Sequence, residues 1–235
     1  MIRARYRFGE YELLVVQVLQ STYGTFNYLL CKKGQAILID CGEAAPIFQA
    51  LEKENLQLTD ILITHNHGDH VGGCREVQDR LGVQSISPAV ESREFPILGT
   101  TCRSFDVSGH LPLCKAYYFP MLKIVFVGDT IIGGAVGRLM GGTAEQFFQS
   151  LEKIKQLPDE TIVFGGHDYL EDNAAFALSV NPENEAMKKL LELYKSEPLA
   201  AVFQPLEKEK KSNPFLQVQS ADEFAALRKR KDHFG

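Results

Sequence analysis

Residues 60–70 read Asp60-Ile61-Leu62-Ile63-Thr64-His65-Asn66-His67-Gly68-Asp69-His70, a short apolar run followed by four potential metal ligands within six positions. An apolar run of strand length that ends on polar groups is how a sheet delivers side chains to a loop at its edge. Three imidazoles and a carboxylate this close together offer nitrogen and oxygen donors at once, the mixture that zinc, iron and manganese accept. The spacing differs from the helical HExxH motif, in which two histidines share one helix face. It predicts a loop folded around the metal, with Gly68, Gly72 and Gly73 as permissive backbone positions.

A single histidine in a globular chain is more often a packing or surface residue than a ligand, so the grouping carries the argument. Of the six histidines, three lie in this motif, His110 follows a glycine after a strand-like stretch, and His167 lies in Phe164-Gly165-Gly166-His167-Asp168. His233, near the end of the chain, falls outside the pattern. Asp129, in Val127-Gly128-Asp129-Thr130, ends another apolar run. Gly-Asp alone is a common turn, but beside the histidine-rich loop Asp129 reads as a bridging carboxylate.

Working outward, the runs ELLVVQVL, FNYLLCK, QAILID, DILIT, KIVFVGD and TIVFGG read as strands. Between them PIFQALEKENL, GGCREVQDRLG and AEQFFQSLEKIKQL carry apolar residues at helical spacing, and Thr143 with Gln146 resembles a capping box. This alternation predicts a layered α/β architecture. Beyond residue 170 only helical patterns remain, at about 171–180, 183–197 and 220–231, separated by a polar, proline-containing stretch from Ser196 to Pro214. The expected organisation is an α/β catalytic domain over residues 1–168 and a small helical domain over 169–235.

The chain has 235 residues and 45% hydrophobic content, enough for a sizeable core. Its apolar runs fall far short of the ~20 residues that span a bilayer, so no membrane partner is expected. The opening residues MIRARYRFGEYELL hold no uninterrupted apolar stretch with a cleavage site, which predicts no secretory leader and a cytoplasmic location. Five cysteines, Cys31, Cys41, Cys74, Cys102 and Cys114, lie far apart without CxxC spacing. That pattern argues against a disulfide framework or a zinc knuckle and for buried or free thiols. A formal net charge of −5 disfavours general nucleic-acid binding, although the tail segment LRKRKD is locally basic. The bland reading of that segment is a solvated helix end.

The order HxHxDH, then His110, Asp129 and His167, resembles the metallo-β-lactamase superfamily, and within it the glyoxalases II, or hydroxyacylglutathione hydrolases. Further matches are Gly128-Asp129-Thr130 with Gly137-Arg138 and Gly142-Thr143, Gly166-His167-Asp168-Tyr169 with Asn173, Asn213-Pro214-Phe215, and Leu227-Arg228 through Lys231-Asp232 and Phe234. The resemblance covers nearly the whole chain. It implies a four-layer αβ/βα sandwich with a small C-terminal helical domain, acting as a monomer. It also implies two divalent metal ions, zinc first with iron or manganese as alternatives. His65, His67 and His110 would hold one, Asp69, His70 and His167 the other, and Asp129 would bridge them.

The implied reaction is hydrolysis of S-D-lactoylglutathione, or a related 2-hydroxyacyl-glutathione, to glutathione and D-lactate by a metal-bridging hydroxide. Asp69 and Asp129 would be the catalytic carboxylates. Arg228 and Lys231 would bind the glutathione glycine carboxylate, assisted by Arg138, Tyr169 and Asn173. The chain departs from the family after His110, where Leu111-Pro112-Leu113-Cys114 replaces TPGH, and at Met140, which stands in place of a glutathione-contacting tyrosine. Alternatives of other classes are a hydrolase of the same fold acting on a lactone, phosphodiester or other thioester, an iron-dependent persulfide dioxygenase, and a binding protein that keeps the fold without catalysis.

Overall fold

A computed structural model describes residues 2–18 and 24–234. Its strands assort into a six-stranded and a five-stranded sheet, and the chain divides into two compact units, residues 1–105 with 117–122 and residues 106–116 with 123–235.

In the first unit β1 (Ile2–Phe8), β2 (Tyr11–Val18), β3 (Thr25–Lys32) and β4 (Gln35–Ile39) run as an antiparallel meander. β5 (Gln57–Leu62) and β6 (Gln84–Ile86) then add in parallel, so the sheet order follows the sequence order. Parallel neighbours need crossovers, and these are supplied by α1 (Ala44–Lys53) after β4 and by α3 (Cys74–Leu81) after β5. Ile47 and Leu51 of α1 and Val77 of α3 pack with Leu14, Leu29, Leu38 and Ile61 in one buried cluster. The run ELLVVQVL is β2 as expected up to Val18, and its Leu19 lies outside the described residues. β7 (Glu94–Ile97) and β8 (Thr100–Asp106) form an antiparallel pair, and β9 is Lys115–Phe119.

In the second unit β10 (Ile124–Gly128) and β11 (Ile162–Gly165) pair in parallel, joined by α4 (Ala144–Lys155). The expected capping box starts α4: Gln146 N donates to Thr143 Oγ1 at 3.1 Å and Thr143 N to Gln146 Oε1 at 3.0 Å. Among the described residues five α-helices follow, α5 (Leu170–Val180), α6 (Glu185–Ser196), α7 (Pro198–Val202), α8 (Leu206–Ser212) and α9 (Ala221–Asp232), with a 3-10 turn at Pro214–Leu216. The stretch from Ser196 to Pro214, read as a separator, is thus largely helical. Pro198 stands at the first helical position, where its missing N–H is not needed, and Leu206 anchors α8 by burial. Aromatic rings tie this unit together, with Phe147 and Phe224 centred 5.0 Å apart and Phe215 between Phe176 (6.0 Å) and Phe224 (5.6 Å). All five cysteines are buried free thiols. Among the described residues no helix is long and apolar enough to cross a membrane.

Candidate metal centre

The ligand-rich segment of the first unit leaves the end of β5 and is not a simple loop. His65 lies outside helix and strand, His67 is extended at the N-cap position of α2 (Gly68–Val71), and Asp69 and His70 occupy that short helix. Gly72 and Gly73 serve close approach more than unusual torsion, whereas Gly68 has open space around it: a Cβ on Gly73 would lie 2.4 Å from Ala44 N, and one on Gly42 would lie 2.1 Å from the Asp69 carbonyl. β4 therefore ends directly against the helix that carries Asp69 and His70.

Asp40, at that strand end, organises the histidines. It is buried with φ +57°, a left-handed conformation that aspartate tolerates better than most residues. Its Oδ1 accepts from Thr64 N at 2.8 Å, and its Oδ2 accepts from Thr64 Oγ1 at 2.7 Å and lies 2.7 Å from His70 Nδ1. A carboxylate oxygen only accepts, so His70 carries its proton on Nδ1 and offers Nε2 as the lone-pair atom. Thr64 spends its hydroxyl hydrogen on Asp40, so its oxygen accepts from His65 Nδ1 at 3.1 Å, and His65 likewise offers Nε2. That Nε2 lies 3.1 Å from His67 Nδ1. Two ligand atoms each ~2.1 Å from one metal at a tetrahedral angle stand ~3.4 Å apart. Asp69 Oδ2 accepts from Thr25 Oγ1 at 3.0 Å and lies 3.9 Å from His70 Nε2.

The second unit assembles the other candidates by the same logic. Asp129 follows β10, and its Oδ2 lies 3.6 Å from His110 Nε2 and 3.5 Å from His167 Nε2, all three side chains being buried. His110 Nδ1 donates to the Arg138 carbonyl at 2.7 Å, which again directs Nε2 toward the carboxylate. Gly137 is confined here, since a Cβ would stand 2.3 Å from the Asp129 carbonyl and 2.9 Å from His110 Nδ1. Tyr169 stacks on His167 with ring centroids 5.0 Å apart. Asp168 is held by Tyr194, whose hydroxyl donates to Oδ2 at 2.9 Å, and its Oδ1 accepts from Leu170 N at the start of α5.

The residues expected to meet substrate divide by environment. Lys231 is half-buried, its Nζ 5.0 Å from the centroid of Phe176, and its ammonium is pushed down to about 8. Burial is the largest cause, followed by repulsion from Arg228, with Asp172 opposing the shift and Arg138 adding to it more weakly. Arg228 is buried, with Nη1 donating to the Val136 carbonyl at 3.0 Å and Nη2 paired with Asp232 at 2.9 Å. Asn173 is also buried and its Nδ2 donates to the carbonyls of Ile132 (2.7 Å) and Gly133 (3.0 Å). Asn173 and Arg228 are therefore bonded to the backbone that follows Asp129. Sequence reading missed Asp40, Thr64 and Thr25; for Asp40 the signal was present, an acid ending the apolar run QAILID as Asp129 ends KIVFVGD.

Two sheets with flanking helices, and paired histidines and aspartates at strand ends, define a class. The model of the metallo-beta-lactamase superfamily matches residues 22–105 and 104–167. The model described as hydroxyacylglutathione hydrolase C-terminus matches residues 168–234. A hydroxyacylglutathione hydrolase of Ruegeria pomeroyi is 34% identical, the match covering 95% of this chain and 99% of that one. A hydroxyacylglutathione hydrolase of Rhizobium meliloti is 36% identical over 86% of this chain and 90% of its own. In fold, the crystal structure of ETHE1 from Myxococcus xanthus superposes with a TM-score of 0.69 at 23% identity, covering 92% of this chain and 89% of that one. The chain belongs to the hydroxyacylglutathione hydrolase family of the metallo-beta-lactamase superfamily.

Proposed function

We infer that the chain is a metal-dependent thioester hydrolase of glyoxalase II type, cleaving S-D-lactoylglutathione or a related 2-hydroxyacyl-glutathione to glutathione and the hydroxy acid. The observation that carries this reading is that the second unit sets Asp129 Oδ2 within 3.6 Å of the Nε2 atoms of His110 and His167, while α9 carries Arg228 and Lys231 one turn apart. Full-length similarity to hydroxyacylglutathione hydrolases supports it.

The donor set fits divalent ions: buried imidazoles, with His65, His70 and His110 each bonded through Nδ1 and offering Nε2, beside carboxylate oxygens. Two ions are proposed, zinc in first place, with His65, His67 and His110 for one, Asp69, His70 and His167 for the other, and Asp129 shared. Such ions lower the pKa of a water toward neutrality and polarise a carbonyl when bound. Asp69, oriented through Oδ2 by Thr25, accepts the hydrogen of the nucleophile through its other oxygen. Lys231 and Arg138 draw in the carboxylate of the glutathione moiety and orient the thioester, which raises its effective concentration at the nucleophile. A thiolate leaves without help from a strong acid, its conjugate thiol being far more acidic than an alcohol. Tyr169, stacked on His167, would assist in holding the substrate. The division into a catalytic part, 1–168, and a helical substrate part, 169–235, belongs to this reading, as do a monomeric state, a cytoplasmic setting and no nucleic-acid partner.

Steady-state hydrolysis of S-D-lactoylglutathione, compared with a simple thioester and a lactone, tests it. Selective turnover of the glutathione ester that is lost on chelation is the expected result. Equal turnover of the simple thioester would remove the glutathione assignment, and chelator-insensitive turnover would remove the metal.

A further inference from the structure

The backbone between Asp129 and Arg138 is gripped, residue by residue, by side chains from distant helices. Asn173 on α5 takes the carbonyls of Ile132 and Gly133. Both carboxylate oxygens of Glu209 on α8 accept from Gly134 N at 3.3 Å. Asn213, just past α8, donates through Nδ2 to the Ala135 carbonyl at 3.0 Å and to Glu209 Oε2 at 3.3 Å. Arg228 on α9 takes the carbonyl of Val136. All four side chains are buried.

What lies downstream gives the grip its meaning. Gly137 N donates to the Asp129 carbonyl at 2.9 Å, and the next carbonyl, that of Arg138, accepts from His110 Nδ1. The loop is thus registered at one end on Asp129 and at the other on the ring of His110. Glu209 is an unusual choice for a mere packing position. It is 1% exposed, and burial pushes its carboxyl up to about 7. An apolar side chain of similar size avoids that desolvation cost. What an apolar residue cannot do is accept from Gly134 N and from Asn213 together.

We propose that Glu209 and Asn213 are positioning residues, which fix the backbone at Gly134 and Ala135 and thereby set the Arg138 carbonyl and the direction in which His110 presents Nε2. The helical segment would then govern the metal-facing geometry as well as contact with substrate. The inference rests on the reading of His110 as a metal ligand, but the orientation of the ring is observable without any metal.

The test uses the full chain labelled with nitrogen-15 at histidine. The hydrogen-bonded His110 Nδ1–H signal is assigned by its loss in His110→Gln. Glu209→Leu and Asn213→Ala, each measured below its own unfolding midpoint, are expected to shift or broaden that signal, whereas Glu209→Gln, which keeps an acceptor for Gly134 N, restores it. In chelator competition the first two should retain metal about 10–100-fold less tightly, the range seen when a ligand's supporting bond is removed. An unchanged His110 signal in folded Glu209→Leu and Asn213→Ala proteins overturns the proposal. If the unaltered chain binds no metal while its His110 signal still depends on Glu209, the ligand reading fails and the positioning role stands.

Discussion

Asp40 Oδ2 lies 2.7 Å from His70 Nδ1, a buried contact between the residue that follows β4 and the helix α2 that fixes which ring nitrogen of His70 holds the proton. Asp40→Asn tests the consequence directly. An amide oxygen still accepts from Thr64, but an amide nitrogen cannot accept from His70 Nδ1, so the ring is driven toward the other tautomer. Metal affinity measured by chelator competition should fall about 10–100-fold. An unaltered affinity would show that His70 does not rely on this carboxylate.

Gly42→Ala should act on the same segment by steric means. The added Cβ would stand 2.1 Å from the Asp69 carbonyl, backbone against backbone, so α2 must move. Thermal unfolding should shift downward, by about 1–3 kcal/mol in stability for an overpacked site, and metal retention should fall with it. Retention unchanged in the face of lost stability would place the accommodation elsewhere.

If Lys231 meets the substrate carboxylate as proposed, its ammonium, pushed down to about 8 by burial, should make substrate binding depend on pH. Below pH 8 it is mostly charged and attracts a carboxylate; above, it deprotonates and the attraction fades. KM for a glutathione thioester should therefore rise as pH increases through about 8, by up to tenfold per pH unit once the group is neutral. A bound carboxylate favours the ammonium, so the break should move upward in the saturated enzyme. Lys231→Met should flatten the profile, and a wild-type profile persisting in that variant would assign the break to another group.

Arg228→Ala should cost stability as well as any binding. The side chain is buried and donates to the Val136 carbonyl, and it pairs with Asp232. Losing charge-assisted bonds of this kind costs about 1.5–3 kcal/mol, visible as a lower urea midpoint. If stability were unchanged while KM rose, Arg228 would be a substrate contact alone.

Six of the seven candidate ligands were legible because they stand just beyond the apolar stretches DILIT, KIVFVG and TIVFGG, whereas His110 follows the mostly polar β8 and was singled out by its place in the histidine pattern. Among the strands that sequence reading overlooked, β9 (KAYYF) is aromatic and buried throughout, but three others have weaker signals. β1 alternates arginine with half-buried residues, β6 is three residues long, and β8 is mostly polar. The polar stretch from 196 onward hid α7 and α8, because Pro198 and the lysines of α8 read as separator although Ala201, Leu206 and Ser212 are buried.

Composition and order along the chain were enough to announce the donor types, the α/β layering and the family. They could not show that Asp40 reaches His70, thirty positions on, or that Asn213 reaches Ala135 across 78 positions. Local pattern reports what a residue prefers, whereas the partner of a hydrogen bond is chosen by how the chain closes on itself. Burial removes water as the alternative partner, and that is what makes those long-range choices obligatory.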